Sequence, residues 1–195
     1  MKRMLHSLLA LAVAAAVPVV PLGAQNLSFF LGGGGAFPTG DLKDDGAETG
    51  WIGFAGVGMP IRSVPGAFVG VTGIYAHIPY EGDLDDATNI PGLFADVGYV
   101  FGVTSPTRIK PYMRFGVGVL QHRYELEGYG GEGESETKLG GAVGAGLNFV
   151  MQSVTPFVGA HFVTGGSDTS FFAAYLGFAF GGGGASATRS PSLRR

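Results

Sequence analysis

Eight apolar runs, gaps between them that alternate long and short, and the near absence of charge within the runs predict an all-β fold. The specific expectation is an eight-stranded antiparallel up-and-down transmembrane β-barrel. Composition agrees. Of 195 residues, 46% are hydrophobic and 14% charged, where a soluble domain carries about 25% charged. The 36 glycines are too many for a helical bundle and lack a collagen period. An aromatic content of 12% argues against disorder. The absence of cysteine excludes disulfide and thiolate chemistry. A net charge of -3 argues against a generally basic nucleic-acid binder.

Residues 1–24 read as a secretory signal peptide. Lys2 and Arg3 precede an apolar core from Leu8 to Val20, and Pro21-Leu22-Gly23-Ala24 follows, with cleavage expected after Ala24. The core is short for a helix crossing about 30 Å of hydrocarbon. Beyond Ala24 every apolar run is broken by Gly, Pro or charge. Export without a helical anchor leaves a soluble exported protein or a barrel in a bacterial outer membrane.

Strands are expected at 26–35, 51–60, 67–79, 92–103, 110–124, 139–150, 155–164 and 170–180. Each is rich in Val, Phe or Tyr, is bounded by Pro, Gly, Asp or Ser, and reaches the roughly 9–11 residues of a tilted membrane strand. The first three alternate poorly, and their faces stay unassigned. In the fourth, Leu93, Ala95, Val97, Tyr99 and Phe101 oppose Phe94, Asp96, Gly98 and Gly102. In the fifth, Met113, Phe115, Val117 and Val119 oppose Arg114, Gly116, Gly118 and His122. In the sixth, Val143, Ala145, Leu147 and Phe149 oppose Ala142, Gly144, Gly146 and Asn148. In the last, Phe172, Ala174, Leu176, Phe178 and Phe180 share a lipid face. The inner faces read as small or polar, which suits the narrow bore of eight strands. Gaps 36–50, 80–91 and 125–138 are long; 61–66, 104–109 and 151–154 are short; 165–169 is intermediate. Long loops at one end and short turns at the other are the layout of outer-membrane barrels.

Charge separates membrane from water. Only Asp96, Lys110, Arg114 and Arg123 are charged within the expected strands, too few to clothe a face in water. Fourteen of the 15 acids fall in the gaps at the loop end, whereas the short gaps carry Arg62 and Arg108 and no acid. Aromatic girdles are expected from Trp51, Tyr75, Tyr80, Tyr124 and Phe171 at the loop end. At the turn end they are expected from Phe101, Tyr112, Phe149, Phe157 and Phe180.

The opening Leu27-Ser28-Phe29-Phe30-Leu31-Gly32-Gly33-Gly34-Gly35-Ala36-Phe37-Pro38-Thr39-Gly40-Asp41 and the final Tyr175-Leu176-Gly177-Phe178-Ala179-Phe180 carry a resemblance. Over about 25–180 the chain resembles small eight-stranded outer-membrane barrels of the OmpA membrane-domain, OmpX and OmpW type. The resemblance implies that Tyr175, Gly177, Phe178 and Phe180 form the signal read by the barrel-assembly machinery. The usual signal ends the chain, whereas here Gly181 to Arg195 follow, a stretch that reads as a flexible Gly-rich basic tail.

Candidate sites are few. Asp96 and Arg114 fall on consecutive strands and one inner face, so a lumenal ion pair is expected, either as a static plug or as a gate. Asn148 and the histidines His122 and His161 are further candidate polar groups of the bore. His77, His122 and His161 lack metal-binding spacing, and no metal or cofactor is expected. Some barrels of this architecture modify lipid A, yet Ala160-His161-Phe162-Val163-Thr164 lacks a nearby serine for a His–Ser deacylase. Asp83-Leu84-Asp85-Asp86-Ala87-Thr88 lacks the glycine of a calcium loop, and Gly32–Gly35 lacks the Gly-Lys-Ser/Thr of a phosphate loop. A monomer touching outer-membrane lipid and lipopolysaccharide is expected. Its role would be structural or surface-interacting without catalysis; the alternatives are a narrow passage for small or hydrophobic molecules and a lipid-modifying enzyme.

Overall fold

Strand after strand, side chains alternate between two faces, and the chain closes so that one face lines a bore. The computed structural model describes residues 27–80, 87–125, 135–151, 153–166 and 169–181. The expected leader, the acids Glu81, Asp83, Asp85, Asp86, Glu127, Glu132, Glu134 and Asp168, and the tail beyond Gly181 lie outside these. The strands are β1 Ser28–Thr39, β2 Gly50–Pro60, β3 Ala67–Pro79, β4 Ala87–Val100, β5 Ile109–Glu125, β6 Ser135–Phe149, β7 Val154–Thr164 and β8 Ser170–Gly181. Each pairs antiparallel with the next, and β8 returns to β1 to close the barrel. The seam runs from Ser28 opposite Gly181 to Thr39 opposite Ser170. Closure leaves no unpaired edge in hydrocarbon, the condition for a strand to cross a bilayer.

The exterior is apolar. Phe172, Leu176, Phe178 and Phe180 stand out from β8, while Phe171, Ala173 and Tyr175 are buried behind them. On β4, Leu93, Val97 and Tyr99 face out, and Phe94 and Asp96 face in. β1–β3 hide their alternation because both faces are apolar. Phe29 and Leu31 are exposed beside half-buried Phe30, and Trp51 is exposed beside buried Ile52.

The bore corrects the expectation of a small or polar interior. Ile52, Ile78, Ile90, Phe94, Leu120, Val163 and Phe171 fill it toward the loop end. Phe54, Tyr112, Phe157 and Tyr175 fill it toward the turn end. Tyr112, Phe157 and Phe171 therefore belong to the core and not to the girdles. Proximity to a strand end sets depth in the membrane, whereas residue parity sets the face. Trp51, Tyr75, Phe101 and Phe180 do stand exposed on the exterior.

Four strand ends shift by three residues or more. β1 continues to Thr39, β4 begins at Ala87, β6 begins at Ser135, and β4 stops at Val100. Much of the expected long gaps is thus strand, and Glu136 lies on β6. Pro91 lies in the expected 80–91 gap, but the β4–β5 register holds across it, from Asn89 opposite Arg123 to Gly92 opposite Leu120. Proline lacks the N–H, so pairing skips locally while the strand continues. Between β1 and β2 a helical turn, α1 Asp41–Asp44, forms where no helix was expected. Gly40 (φ 62°) and Gly46 (φ 89°) supply the left-handed backbone that flanks it. Leu42 is thereby driven into the mouth of the bore, 1% exposed.

Large inward rings need small neighbours across the ladder. A Cβ on Gly144 would lie 1.7 Å from the His161 ring and 2.7 Å from the Ala160 carbonyl oxygen. One on Gly73 would meet nothing closer than 3.8 Å. Gly144→Ala is expected to destabilise the barrel by about 1–3 kcal/mol through overpacking, and Gly73→Ala to be neutral. Urea unfolding in lipid vesicles, followed by Trp51 fluorescence, checks the contrast; equal effects would refute the packing account.

Candidate functional site: the polar belt of the bore

Between the two apolar clusters three neighbouring strands each contribute a polar side chain. Thr72 comes from β3, Asp96 from β4 and Arg114 from β5. The register sets Asp96 opposite Gly70 and Gly116, and Arg114 opposite Gly98. The glycines leave room for the carboxylate and guanidinium to meet diagonally. A Cβ on Gly116 would lie 2.7 Å from Asp96 Oδ1. Arg114 Nη2 lies 2.6 Å from Asp96 Oδ2. Thr72 Oγ1 donates to the same Oδ2 at 2.6 Å and accepts from Arg114 Nη2 at 2.5 Å. The guanidinium carbon sits 5.5 Å above the Phe30 ring centre, a cation–π contact.

The three groups form a closed, charge-neutral triangle in which each charge has a partner. Asp96 Oδ1 is buried and has no hydrogen-bond partner among the described residues. Asp96 borders a cavity of about 20 Å³ that Thr72, Arg114 and His161 also line, about the size of one water.

Opposite lies a second polar chain. Tyr175 on β8 touches Tyr112 of β5, hydroxyl to hydroxyl, at 3.0 Å. The Tyr175 hydroxyl also reaches His161 Nε2 on β7 at 3.0 Å. Gly146 and Gly159 make this possible: a Cβ on either would come within 2.7 Å of the Tyr112 hydroxyl.

The remaining residues singled out in the sequence are dispersed. His122 is buried on the inner face of β5, opposite Glu136 in register and away from the triangle. Asn148 lies on the inner face of β6 near the turn end, opposite Lys110 and Phe157. Tyr175 and Gly177 point inward, whereas Phe178 and Phe180 point to the exterior, all on the strand that closes the barrel. His77 lies outside, its Nδ1 2.9 Å from Asn89 Oδ1 and its ring stacked on Trp51. Lys110 is buried at the β4–β5 turn, where Nζ donates to the carbonyls of Gly102 (2.5 Å) and Ser105 (2.8 Å).

Sequence reasoning missed Thr72, Tyr112 and the Tyr175 hydroxyl as partners in these networks. The signal for Thr72, the one aliphatic hydroxyl on a largely apolar β3, needed a face assignment that β3 did not give. Chemically, the belt offers a neutralised carboxylate and a tyrosine-bonded imidazole, with no serine aligned on either among the described residues.

No protein-family model matches the chain, and no curated protein is similar enough to count as a match. Solved structures do match in fold. The Neisserial surface protein A (NspA) structure aligns with TM-score 0.63 at 15% identity, covering 80% of this chain and 96% of that one. The attachment invasion locus protein Ail of Yersinia pestis, in complex with the heparin analogue sucrose octasulfate, aligns with TM-score 0.51 at 16% identity, covering 79% and 96%. The N-terminal β-barrel domain of Pseudomonas aeruginosa OprF aligns with TM-score 0.49 at 18% identity, covering 80% and 97%. By fold the chain is a small closed eight-stranded antiparallel β-barrel like those in these structures, and its apolar exterior suits contact with hydrocarbon.

The buried triangle makes a double-mutant test possible. Arg114→Met alone is expected to cost about 3–5 kcal/mol, because it strands the Asp96 carboxylate. Adding Asp96→Leu is expected to recover most of that loss. Vesicle unfolding of the singles and the double measures the coupling; additive effects would show that the pair does not act as a unit.

Proposed function

We propose that the chain is a non-catalytic outer-membrane barrel that works as a structural or surface-interacting protein, its loop end facing outward and its bore closed. The observation that carries this reading is the filling of the bore. Two layers of large apolar side chains sandwich a neutral polar belt, and the described space beside the belt holds about one water. A passage for small molecules would need these rings to move together, which interiors at close-packed density resist. The Asp96–Arg114 pair acts, on this reading, as a static plug that fixes how β3, β4 and β5 meet.

The rim is where a partner would dock. Asp41, Asp44, Asp45, Glu48 and Glu136 gather at the loop end, and Leu42 and Ala47 anchor α1 and its following turn into the bore. The acidic rim suits a basic partner. It does not suit the polyanion held by Ail in the structure above, since like charges would meet. The same reading has Tyr175, Gly177, Phe178 and Phe180 presented to the barrel-assembly machinery, and a monomer as the working state.

Two measurements test the proposal. In planar bilayers the purified barrel is expected to give no steady unitary current, while Phe54→Ala combined with Phe157→Ala opens one. Regular conductance from the unmodified chain would favour the passage reading instead. Because the chain has no cysteine, Asp45→Cys and Ser105→Cys report sidedness. An impermeant maleimide on whole cells is expected to label the first and not the second; the reverse pattern would overturn the outward loop end.

A further inference from the structure

One lateral row on the exterior differs from the hydrocarbon-facing rows beneath it. Trp51, His77, Asn89, Arg123 and Ser135 stand side by side across β2 to β6 in ladder register. Asn89 is 3% exposed although it is on the outer face, because Tyr75 and His77 close over it. Its Oδ1 accepts from the Tyr75 hydroxyl at 2.8 Å and lies 2.9 Å from His77 Nδ1. The next row carries Gln121 opposite Thr137, and Gln121 Oε1 accepts from Arg123 Nη2 at 2.5 Å. One row further, Val119 faces Leu139, which is 83% exposed. Polar therefore gives way to apolar within two rows, as it must where headgroups meet acyl chains.

Arg123 is the outward-facing charge on the described strand side chains; Asp96, Lys110, Arg114, Glu136 and Lys138 all have the inner parity. A guanidinium has five donors in a planar fork that suits phosphate oxygens. The Gln121 amide takes one Arg123 amino group and orients the rest. Beneath Arg123, on the same two strands, Ala95, Val97, Phe115 and Val117 line a groove over the Asp96–Gly116 pair. From Arg123 to Val117 is six residues, about 20 Å of strand at about 3.3 Å each. With a tilt of about 45° that becomes a depth of roughly 14 Å, close to the half-thickness of the hydrocarbon core.

We propose that β4 and β5 form a specific seat for one phosphorylated glycolipid of the outer leaflet. Arg123, held by Gln121, takes the phosphate. Ser135 and Thr137 on one side, and the His77 and Trp51 rings on the other, offer hydroxyl and ring surfaces to the sugar, while buried Asn89 holds His77 and Tyr75 in place. The apolar groove takes the end of one acyl chain. The inference is carried by one outward cation among the described strand side chains, with an apolar groove deeper along the same two strands, at a depth of about 14 Å. It rests on the outward loop end proposed above, because only then does the seat open to the outer leaflet.

The test uses the full barrel in nanodiscs, where both leaflets are accessible and binding is read independently of sidedness. Native mass spectrometry and thermal unfolding would compare hexa-acylated diphosphoryl lipid A, its dephosphorylated form, and phosphatidylglycerol. Diphosphoryl lipid A is expected to be retained and to raise the melting temperature. Arg123→Gln is expected to weaken retention by about fivefold, the scale of one arginine at a charged membrane surface. Val117→Trp, which fills the groove, should weaken it without touching the charge, and Arg108→Gln at the other end should have no effect. Equal retention of dephosphorylated lipid A, equal retention of phosphatidylglycerol, or equal loss in Arg108→Gln would each overturn the proposal. Inverted maleimide labelling with intact retention would instead overturn the sidedness, and with it the placement in the outer leaflet, while leaving the binding seat itself standing.

Discussion

Backbone hydrogen bonding without water is the constraint from which the rest of the structure follows. In hydrocarbon an unpaired N–H or C=O costs several kcal/mol, so eight strands can cross only if the last returns to the first. The β1–β8 seam pairs twelve residues of each strand, from Ser28 with Gly181 to Thr39 with Ser170. That closure fixes the circumference, and eight strands leave a bore no wider than side chains can fill. The glycine-rich β1 serves the seam: Gly32 and Gly34 lie so close to the β8 backbone that a Cβ there would strike the Leu176 and Ala174 carbonyls.

Filling that bore imposes the second layer of order. A ring that points inward occupies the space of its neighbour across the ladder, and that neighbour becomes glycine. Phe54 stands over Gly32, Phe30 over Gly56, Phe157 over Gly177 and His161 over Gly144. The polar belt obeys the same steric rule, with Asp96 over Gly116. Its charges can be kept because the Thr72 hydroxyl both donates to the carboxylate and accepts from the guanidinium. A buried pair of this kind adds little net stability over apolar side chains, but it ties β3, β4 and β5 into one register.

The exterior follows a different logic, in which membrane depth matters more than shape. Hydrocarbon rows tolerate Val, Leu and Phe almost interchangeably. The loop-end boundary demands amphipathic groups, and there Trp51, Tyr75, His77, Asn89, Gln121 and Arg123 gather. A narrow bore and an ordered exterior shift the interest of this barrel from what passes through it to what lies against it and above it.

The strand count, the antiparallel order and the faces of β4, β5, β6 and β8 could be read from the residues alone, because period-2 alternation is local. Asp96 and Arg114 could be brought near each other because a short turn joins their strands and hairpin register follows from counting. The faces of β1–β3 could not, since Ile52, Phe54, Ile74 and Ile78 make the inner face as apolar as the outer. Nor could the fate of Tyr112, Phe157 and Phe171, whose place near a strand end says nothing of direction. The Tyr112–Tyr175–His161 chain joins β5, β7 and β8, and the row from Trp51 to Ser135 crosses five strands. Such groupings depend on the registers of several ladders at once, and only the closed barrel fixes those registers together.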